Sequence, residues 1–298
     1  MIIDAYAAGI VLYKPDLDRL KDSLNAITPQ VKFVYCFNNG LGDNPGAINT
    51  VLHTYSNVIV IGDGQNIGIA SALNALVQRA HDDGMTWILT LDQDSVVSED
   101  TIASLAKLTS EDKVAIICPQ IEDERRKNEP ISHDFPPIED IDDCITSGSF
   151  MNIDKTLSVG GFDSRLFIDL VDDEICHRIK LSGYRIIRNN SVILNHECGI
   201  LAPSKYEHFW LKMGMLMHSD ILQRLSHKRE VNPMRLYYVT RNMVYLNRKY
   251  RKNSNPMWST KRLIRNSISS ILRGKNKIVL IKNIIIGIRD GKTMNIEY

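Results

Sequence analysis

Short apolar runs alternate with amphipathic stretches through the first 120 residues, and this alternation limits the fold more than any other feature of the sequence. Two stretches carry apolar side chains at helical spacing, residues 16–27 and 67–81. Five runs have the length and composition of buried strands, and each is closed within two residues by Pro, Asn, Gly or Asp: residues 7–13, 31–37, 58–61, 87–91 and 114–118. Strands that alternate with helices pair in parallel and are covered on both faces. The sequence therefore predicts an α/β fold with a mostly parallel central sheet flanked by helices.

The fourth run ends in two carboxylates, Asp92 and Asp94, with Gln93 between them. Residues two apart in an extended segment point to the same side, so both carboxylates can face one point beyond the strand. Ligands bind at that edge of open α/β sheets, and carboxylates there suit Mg²⁺ or Mn²⁺ that also holds a ligand's phosphates. The same residues also fit a turn in which Asp94 or Ser95 caps a following helix.

Polar residues follow the other strand ends, which share one edge in a parallel sheet. A nucleotide at this edge would meet an aromatic residue, a proline and several amides, at Tyr13, Pro15, Asn38, Asn39, Asn66 and Gln93. Gly68 lets the backbone approach a ligand closely and precedes a helix whose N-terminus favours anions. This edge is therefore the candidate nucleotide-binding site.

A second acidic cluster lies beyond residues 122–143, a polar segment that we expect to be a long surface loop. A helix is predicted from about residue 172 to 181, followed by short strands at residues 184–188 and 192–195. Asp172 lies near the start of that helix, as either a solvated cap or a catalytic carboxylate. An inverting glycosyl transfer requires a base for the acceptor hydroxyl and a way to neutralise the departing diphosphate. A pair of acids that holds a metal ion and a separate acid as the base are the minimal set, and the chain offers both.

His196 directly follows the last of these strands and is a candidate third ligand of the ion. A zinc site is also conceivable, but its spacing matches no standard pattern; its ligands would be Cys176, His177, His196 and Cys198.

The C-terminal third differs from the rest in charge and pattern. Residues 201–298 hold 20 Lys and Arg against 5 Asp and Glu, a net charge of +15, whereas residues 1–200 have a net charge of −14. Helical patterns dominate there, at residues 206–225, 233–250, 259–272 and 277–289. The basic region predicts contact with an anionic membrane surface, although attraction between the two parts of the chain would explain the charges equally well. No nucleic-acid partner is expected, and a homo-oligomer is compatible with the sequence.

The cysteines and the hydropathy of the sequence indicate the cellular compartment of the protein. The five cysteines are odd in number and scattered, which favours a reducing compartment. No basic region precedes an apolar run at the N-terminus, and no segment has about 18 uninterrupted apolar residues. We therefore expect a cytoplasmic protein, peripheral on the inner face of a bacterial cell membrane.

Several short motifs occur in a characteristic order: Tyr13-Lys14-Pro15, Asn38-Asn39-Gly40, Asn66-Ile67-Gly68-Ile69-Ala70, Leu91-Asp92-Gln93-Asp94-Ser95, Ser147-Gly148-Ser149, Gly160-Gly161-Phe162-Asp163, Phe167-Ile168-Asp169-Leu170-Val171-Asp172, Arg178, Gly183-Tyr184, His196 and Arg241-Asn242. Together they resemble glycosyltransferase family 2, which has the GT-A fold, over about residues 6–250. The nearest subgroup is the bacterial rhamnosyltransferases of O-antigen and cell-wall polysaccharide assembly. The Asp-Gln-Asp motif and the Phe-Ile-Asp run point to rhamnosyl transfer.

The resemblance implies roles for the donor-site residues. Asp94 would bind a Mg²⁺ or Mn²⁺ ion that bridges the donor diphosphate, with His196 as a further ligand. Asp92 would contact the donor ribose or the water shell of the ion. Asn38 and Asn39 would lie near the base and ribose.

The resemblance also implies that Asp172 is the general base and that Arg178 orients the acidic segment or a phosphate. Many family members have Glu-Asp where this chain has Val171-Asp172, so Asp169 is a second candidate base.

The sequence thus predicts a catalytic domain over residues 1–202, with nucleotide-sugar binding in 1–120 and the acceptor and catalytic part in 144–202. A basic helical region over residues 203–298 follows. The expected activity is inverting, metal-dependent transfer of rhamnose from dTDP-rhamnose to a hydroxyl of a lipid-linked glycan. The alternatives are a UDP-hexose or galactofuranose donor, and a non-catalytic nucleotide-binding scaffold. A sugar nucleotidyltransferase would need a glycine-rich basic loop after the first strand, and Tyr13-Lys14-Pro15-Asp16 lacks one.

Overall fold

The computed structural model describes residues 5–122, 135–195, 201–203, 206–217, 227–229, 231–253 and 255–296. The chain forms two compact units, Met1–Glu197 and Cys198–Tyr298.

The described part of the first unit is built around an eight-stranded sheet. Its strands are β1 (Tyr6–Leu12), β2 (Phe33–Asn38), β3 (Val58–Ile61), β4 (Trp87–Asp92), β5 (Val114–Glu122), β6 (Ile138–Asp140), β7 (Ser149–Asn152) and β8 (Arg185–Asn195). They lie in the order β3-β2-β1-β4-β7-β5-β8-β6. The pairs β3-β2, β2-β1, β1-β4 and β5-β8 are parallel, whereas β7 is antiparallel to both neighbours and β6 is antiparallel to β8. The predicted α/β fold with a mostly parallel sheet is confirmed.

Helices cover this sheet because their apolar stripes need burial. They are α1 (Leu17–Ile27), α2 (Pro45–Leu52), α3 (Ile69–Asp82), α4 (Thr101–Ala106), α5 (Ile153–Ser158) and α6 (Val171–Leu181). In α1, Leu20, Leu24 and Ile27 are fully buried, and the Asp16 side chain accepts hydrogen bonds from two backbone N–H groups of the first turn. The core strands are apolar on both faces because both faces are covered: five of the six residues of β4 are buried.

Two local predictions for this unit were wrong, and one helix was missed. Part of the expected 122–143 loop is β6, an edge strand whose Asp140 and Glu139 pair with Arg185 and Arg188 of β8, so its composition resembles that of a loop. The two short strands expected at residues 184–188 and 192–195 form the single strand β8, whose register to β5 shifts between Pro119 and Gln120. Helix α2 was not predicted, although a capping Asn44 before a proline marks its start.

The second unit is mainly helical in its described part. Its elements are β9 (Leu201–Pro203), α7 (Glu207–Leu216), β10 (His227–Arg229), α8 (Pro233–Lys249), α9 (Thr260–Arg273) and α10 (Lys277–Thr293). Helix α7 ends earlier than the predicted residue 225, and residues 218–226 lie outside the described residues. Helices α8 and α10 pack closely at Gly291, where a Cβ would lie 2.4 Å from the Arg241 carbonyl oxygen. None of the described helices is long and apolar enough to cross a membrane.

Candidate active site

The ends of β2, β1 and β4 are neighbours at one edge of the sheet. Asn38 pairs with Leu12 in the register of β2 and β1, and Asp92 pairs with Val11 in the register of β4 and β1. The residues expected to form the donor site around Tyr13, Asn38 and Asp92 therefore lie together at the carboxyl edge. That edge is the usual ligand site of an open α/β sheet.

Gln93 links two of these strand ends. Its side-chain oxygen accepts a hydrogen bond of 2.8 Å from the Tyr13 backbone N–H, and its Nε2 donates one of 3.1 Å to the Tyr13 carbonyl. The Tyr13 backbone is thereby fixed while its side chain stays 46% exposed. Gln93, a predicted donor-contact residue, therefore has both ends of its amide bonded to the Tyr13 backbone in this structure.

Asn39 and Asn66 build the loop that leads into α3. Asn39 is buried; its Nδ2 donates to Asn66 Oδ1 at 3.2 Å, and its Oδ1 accepts from the Ile67 N–H at 2.8 Å. Asn66 Oδ1 also accepts from the Gly68 N–H at 3.0 Å. These two amides therefore shape the donor-side loop, whereas Asn38 is half-buried at its rim and accepts a hydrogen bond from the Gly40 N–H. Pro15, the other predicted surface residue, is half-buried just after β1.

Gly68 joins the donor-side loop to the acidic segment. It has φ +84°, and a Cβ there would lie 2.6 Å from the Phe167 ring and 2.7 Å from the Phe167 carbonyl oxygen. The next backbone N–H, that of Ile69, donates a hydrogen bond of 2.8 Å to the same carbonyl oxygen. Gly68 was predicted to let the backbone approach a phosphate. In the structure, the lack of a Cβ at Gly68 leaves room for Phe167, and this contact brings the acidic segment to the donor edge.

Asp92 and Asp94 differ in their surroundings. Asp92 is half-buried, its N–H donates to Ser147 Oγ at 3.1 Å, and its carbonyl accepts from the Ser95 N–H in a turn. Asp94 is exposed and makes no side-chain hydrogen bond or ion pair with the described residues. The suggestion that Asp94 or Ser95 caps a following helix is wrong, since α4 begins only at Thr101.

The prediction that Asp92 and Asp94 face one point as neighbours on an extended strand is wrong, because β4 ends at Asp92 and residues 93 and 94 form a turn. Their carboxylate oxygens remain of the type that Mg²⁺ takes together with water and a substrate diphosphate. Within the described residues, no group of three or more His, Cys, Asp and Glu side chains is arranged to hold a metal by itself. The predicted further ligand, His196, lies outside the described residues, as does Cys198 of the conceivable zinc site.

Asp169 lies in an unusual turn, and Asp172 follows this turn. Asp169 and Leu170 both have left-handed backbone angles, with φ +68° and +63°, and α6 starts immediately afterwards. Two such residues in succession are rare outside glycine, and backbone of this kind is concentrated at functional sites. Asp172 follows in the first turn of α6, and its Oδ1 accepts a hydrogen bond of 3.1 Å from the Asp173 N–H.

The Asp172 carboxyl titrates near neutrality. Burial raises its pKa to about 7, and the neighbouring negative charge of Asp173 adds to the rise, while backbone hydrogen bonds oppose it. The residue is half-buried, and it lines a small cavity together with Thr146, Ser149 and Phe162. A carboxylate with this pKa can accept a proton at neutral pH.

An ion pair fixes the helix that carries Asp172. Glu174 is fully buried, and both of its oxygens accept hydrogen bonds from Arg178, at 3.0 and 2.5 Å. Arg178 Nη1 donates a third hydrogen bond to the Val159 carbonyl at 2.6 Å. Arg178 therefore braces the acidic segment against the preceding turn.

Two positioning residues were missed in the sequence, Asn74 and Glu174. Asn74 on α3 donates to the Phe162 carbonyl and accepts from the Phe162 N–H, at 2.8 and 2.7 Å, which attaches the Gly160–Asp163 turn to the donor-side helix. The sequence signal for Asn74 was the presence of an asparagine within a helical stripe that is otherwise apolar. Glu174 was missed because it belongs to a run of acidic residues, and such a run is typical of a solvated surface.

Comparisons with known proteins give the family of the chain. Residues 2–159 match the family model described as glycosyl transferase family 2. The dTDP-rhamnosyl transferase RfbF of Shigella flexneri is 25% identical over 320 residues, covering 95% of this chain and 94% of that protein.

Two solved structures share the fold. GalNAc-T7 with UDP, GalNAc and Mn²⁺ matches with a TM-score of 0.55 and 13% identity, over 65% of this chain and 44% of that one. TarS of S. aureus, residues 1–349, matches with a TM-score of 0.52 and 14% identity, over 95% of this chain and 80% of that one. The fold is of the GT-A type. The chain is therefore a glycosyltransferase and belongs to glycosyl transferase family 2.

Proposed function

We propose that this enzyme transfers rhamnose from dTDP-rhamnose to a hydroxyl of a lipid-linked glycan, with inversion at the anomeric carbon. The observation that carries the proposal is Asp172, a carboxyl group with a pKa of about 7 on a segment that contacts the donor-side loop through Phe167 and Gly68. A base of this kind suits direct attack by an acceptor hydroxyl. The rhamnosyl donor is supported by the similarity to the Shigella transferase.

On the donor side, Tyr13, Pro15 and Asn38 would contact the nucleotide. Asp92 and Asp94 would hold Mg²⁺ or Mn²⁺, which when bound neutralises the negative charge that develops on the departing diphosphate. His196 is a further ligand in this proposal. The exposed Asp94 carboxylate is the group best suited to contact the ion directly.

On the acceptor side, Asp172 performs the proton transfer. As the acceptor oxygen bonds to the anomeric carbon, its proton passes to the Asp172 carboxylate. The bond between that carbon and the phosphate oxygen breaks, and dTDP leaves with the electron pair. Asp169 is the second candidate base, and Arg178 with Glu174 fixes the helix that carries Asp172.

The proposal extends to organisation and location. Residues 1–202 would form the catalytic domain, with donor binding in 1–120 and the acceptor part in 144–202, and residues 203–298 would hold the enzyme at the cytoplasmic face of a bacterial membrane. The net charge of +15 in residues 201–298 supports this location, because a lipid-linked acceptor is confined to a membrane. The product would enter O-antigen or capsule synthesis.

A donor panel tests the reaction. Purified enzyme is incubated with dTDP-rhamnose, UDP-hexoses and UDP-galactofuranose, with and without EDTA, and nucleotide release is measured. We expect release from dTDP-rhamnose that EDTA abolishes and added Mn²⁺ or Mg²⁺ restores. Preference for a UDP-sugar would replace the donor assignment, and no release from any donor would favour a non-catalytic scaffold.

Comparison of two variants tests the base. Asp172→Asn should lower turnover by roughly 10²–10⁴-fold, the usual contribution of a general base. Asp169→Asn serves as the matched comparison from the same segment. Full activity in Asp172→Asn together with loss in Asp169→Asn would transfer the role to Asp169.

A further inference from the structure

Helix α9 exposes its apolar side. Ile264, Ile268 and Leu272 follow one another at intervals of four residues and are 54%, 53% and 64% exposed. None of the 14 residues of α9 is buried. A helix of a globular protein normally turns its apolar stripe toward the core. In α9 these three apolar side chains are exposed instead.

The inward side of α9 carries polar as well as apolar residues. Asn266, Ser267 and Ser270 are half-buried, and Asn266 Nδ2 lies 3.9 Å from Met243 Sδ of α8. Ile271 packs against the small core around Leu280. The helix is thus held to its unit by a few contacts. Leu263 is also half-buried, whereas Ile264, Ile268 and Leu272 remain in solvent.

Basic residues border the exposed stripe. At 100° per residue, Lys261 and Arg265 lie on the same side of α9 as Ile268 and Leu272, and both are exposed. The helix also carries Arg262 and Arg273 and contains no acidic residue. Exposed apolar side chains flanked by Lys and Arg are typical of a helix that lies in the interface of a membrane.

The following helix has a related pattern. In α10, Ile278, Ile281 and Ile285 are exposed and spaced by three and four residues, and Lys282 is exposed beside them. The two helices meet at their junction, where a Cβ on Gly274 would lie 2.1 Å from the Leu280 side chain. Two consecutive helices of one unit therefore leave apolar side chains and cations in solvent.

We infer that α9 is the membrane-binding element of this enzyme and that the face formed by Lys261, Ile264, Arg265, Ile268 and Leu272, here the α9 face, binds anionic lipid. The charge of residues 201–298, +15, complements such a surface, whereas two copies that met through this face would bring like charges together. The inference deepens the proposed function by naming the surface that would bring the enzyme to a lipid-linked acceptor. The exposure and charge of the α9 face do not depend on the sugar transferred.

Vesicle sedimentation tests the inference with the full chain and no substrate. Wild-type protein should sediment with vesicles of mixed phosphatidylglycerol and phosphatidylcholine at low salt, detach at high salt, and stay in solution with phosphatidylcholine alone. Ile264→Gln, Ile268→Gln and Leu272→Gln together, which keep a good helix former at each position, should weaken binding at least about tenfold. Lys261→Gln with Arg265→Gln should weaken it roughly fivefold for each charge removed.

A matched control replaces three exposed apolar residues of the first unit, as Val60→Thr, Ile138→Thr and Leu181→Gln, and should bind vesicles like wild type. The inference is overturned if the triple α9 variant binds as tightly as wild type, or if light scattering shows a dimer that this variant converts to a monomer. Because binding is scored without donor, vesicle binding by an enzyme that turns over no nucleotide sugar would refute only the proposed reaction. Turnover without vesicle binding would refute only the membrane surface.

Discussion

Replacing Asp172 with asparagine should lower activity and raise stability at the same time. Burial holds the pKa of this carboxyl at about 7 in the folded protein, well above its ordinary value near 4. Between these two values the folded state binds a proton that the unfolded state has released. The free energy of unfolding therefore falls as pH rises from about 4 to 7. Above pH 7 Asp172 is ionised in both states, and the full cost of burying its negative charge lowers the free energy of unfolding. Asparagine has no charge, so its burial does not carry this cost.

The size of the effect follows from the shift. A difference of about three in pKa corresponds to at most about 4 kcal/mol, at 1.36 kcal/mol for each pKa unit. Asp172 remains partly accessible, and solvent screening and local relaxation reduce the effect to about 1–3 kcal/mol. At pH 8 the variant should be more stable than wild type by this amount, and near pH 4 the difference should disappear.

Thermal unfolding of both proteins without ligands, at pH 4.5 and pH 8, measures the difference, and nucleotide release measures activity. A lower melting temperature for the variant at pH 8 would show that the carboxylate makes stabilising contacts, which contradicts a desolvated base. Unchanged turnover would also refute the reasoning. Asp163→Asn, which removes a carboxylate that accepts hydrogen bonds from Arg165, should destabilise and serves as the contrast.

Three shorter predictions concern neighbouring residues. Asp173→Asn removes the like charge beside Asp172, so the acid limb of the pH profile of kcat/KM should move to lower pH; no movement would contradict that coupling. Asp94→Asn should abolish Mn²⁺ binding in calorimetry with dTDP present, whereas Glu99→Gln should not. Gln93→Ala breaks both hydrogen bonds to the Tyr13 backbone, so KM for the donor should rise several-fold with kcat nearly unchanged.

The sheet and its ligand-binding edge could be predicted because they depend on local patterns. The buried run of β4 ends at Asp92, and the order of strands and helices determines that parallel strand ends meet. The edge strand β6 could not be predicted in this way. Its Glu139 and Asp140 become strand residues only through pairing with the arginines of β8, and such a partner is invisible in a local window.

Within the site, residue types were easier to predict than side-chain directions. Gln93 lies between two carboxylates in the sequence, but residues 93 and 94 form a turn after β4, and the Gln93 amide contacts the Tyr13 backbone there. The Glu174–Arg178 pair has the spacing of a helical ion pair. Its burial could not be foreseen, because three consecutive acidic residues normally indicate a solvated face and only the packing of α6 shows which one turns inward.

Gly68 gives the sharpest test of how the two halves of the site are joined. An alanine there would have to adopt φ +84° and ψ 163°, a region nearly restricted to glycine, and its Cβ would lie 2.6 Å from the Phe167 ring. Gly64→Ala is the matched control, because it has φ +89° in the same loop but its nearest neighbour, on Asn38, is 3.5 Å away.

Gly68→Ala should therefore lower the free energy of unfolding by about 3 kcal/mol or more, and Gly64→Ala by only about 1–2 kcal/mol. The difference measures the contact between the donor-side loop and the acidic segment, and denaturant titration without ligands detects it. If Gly68 serves only to let a phosphate approach, both variants will unfold alike and Gly68→Ala will raise only the KM for the donor. If the contact with Phe167 aligns Asp172 with the donor, Gly68→Ala will also lower kcat, because displacement of residue 167 moves the base that follows it.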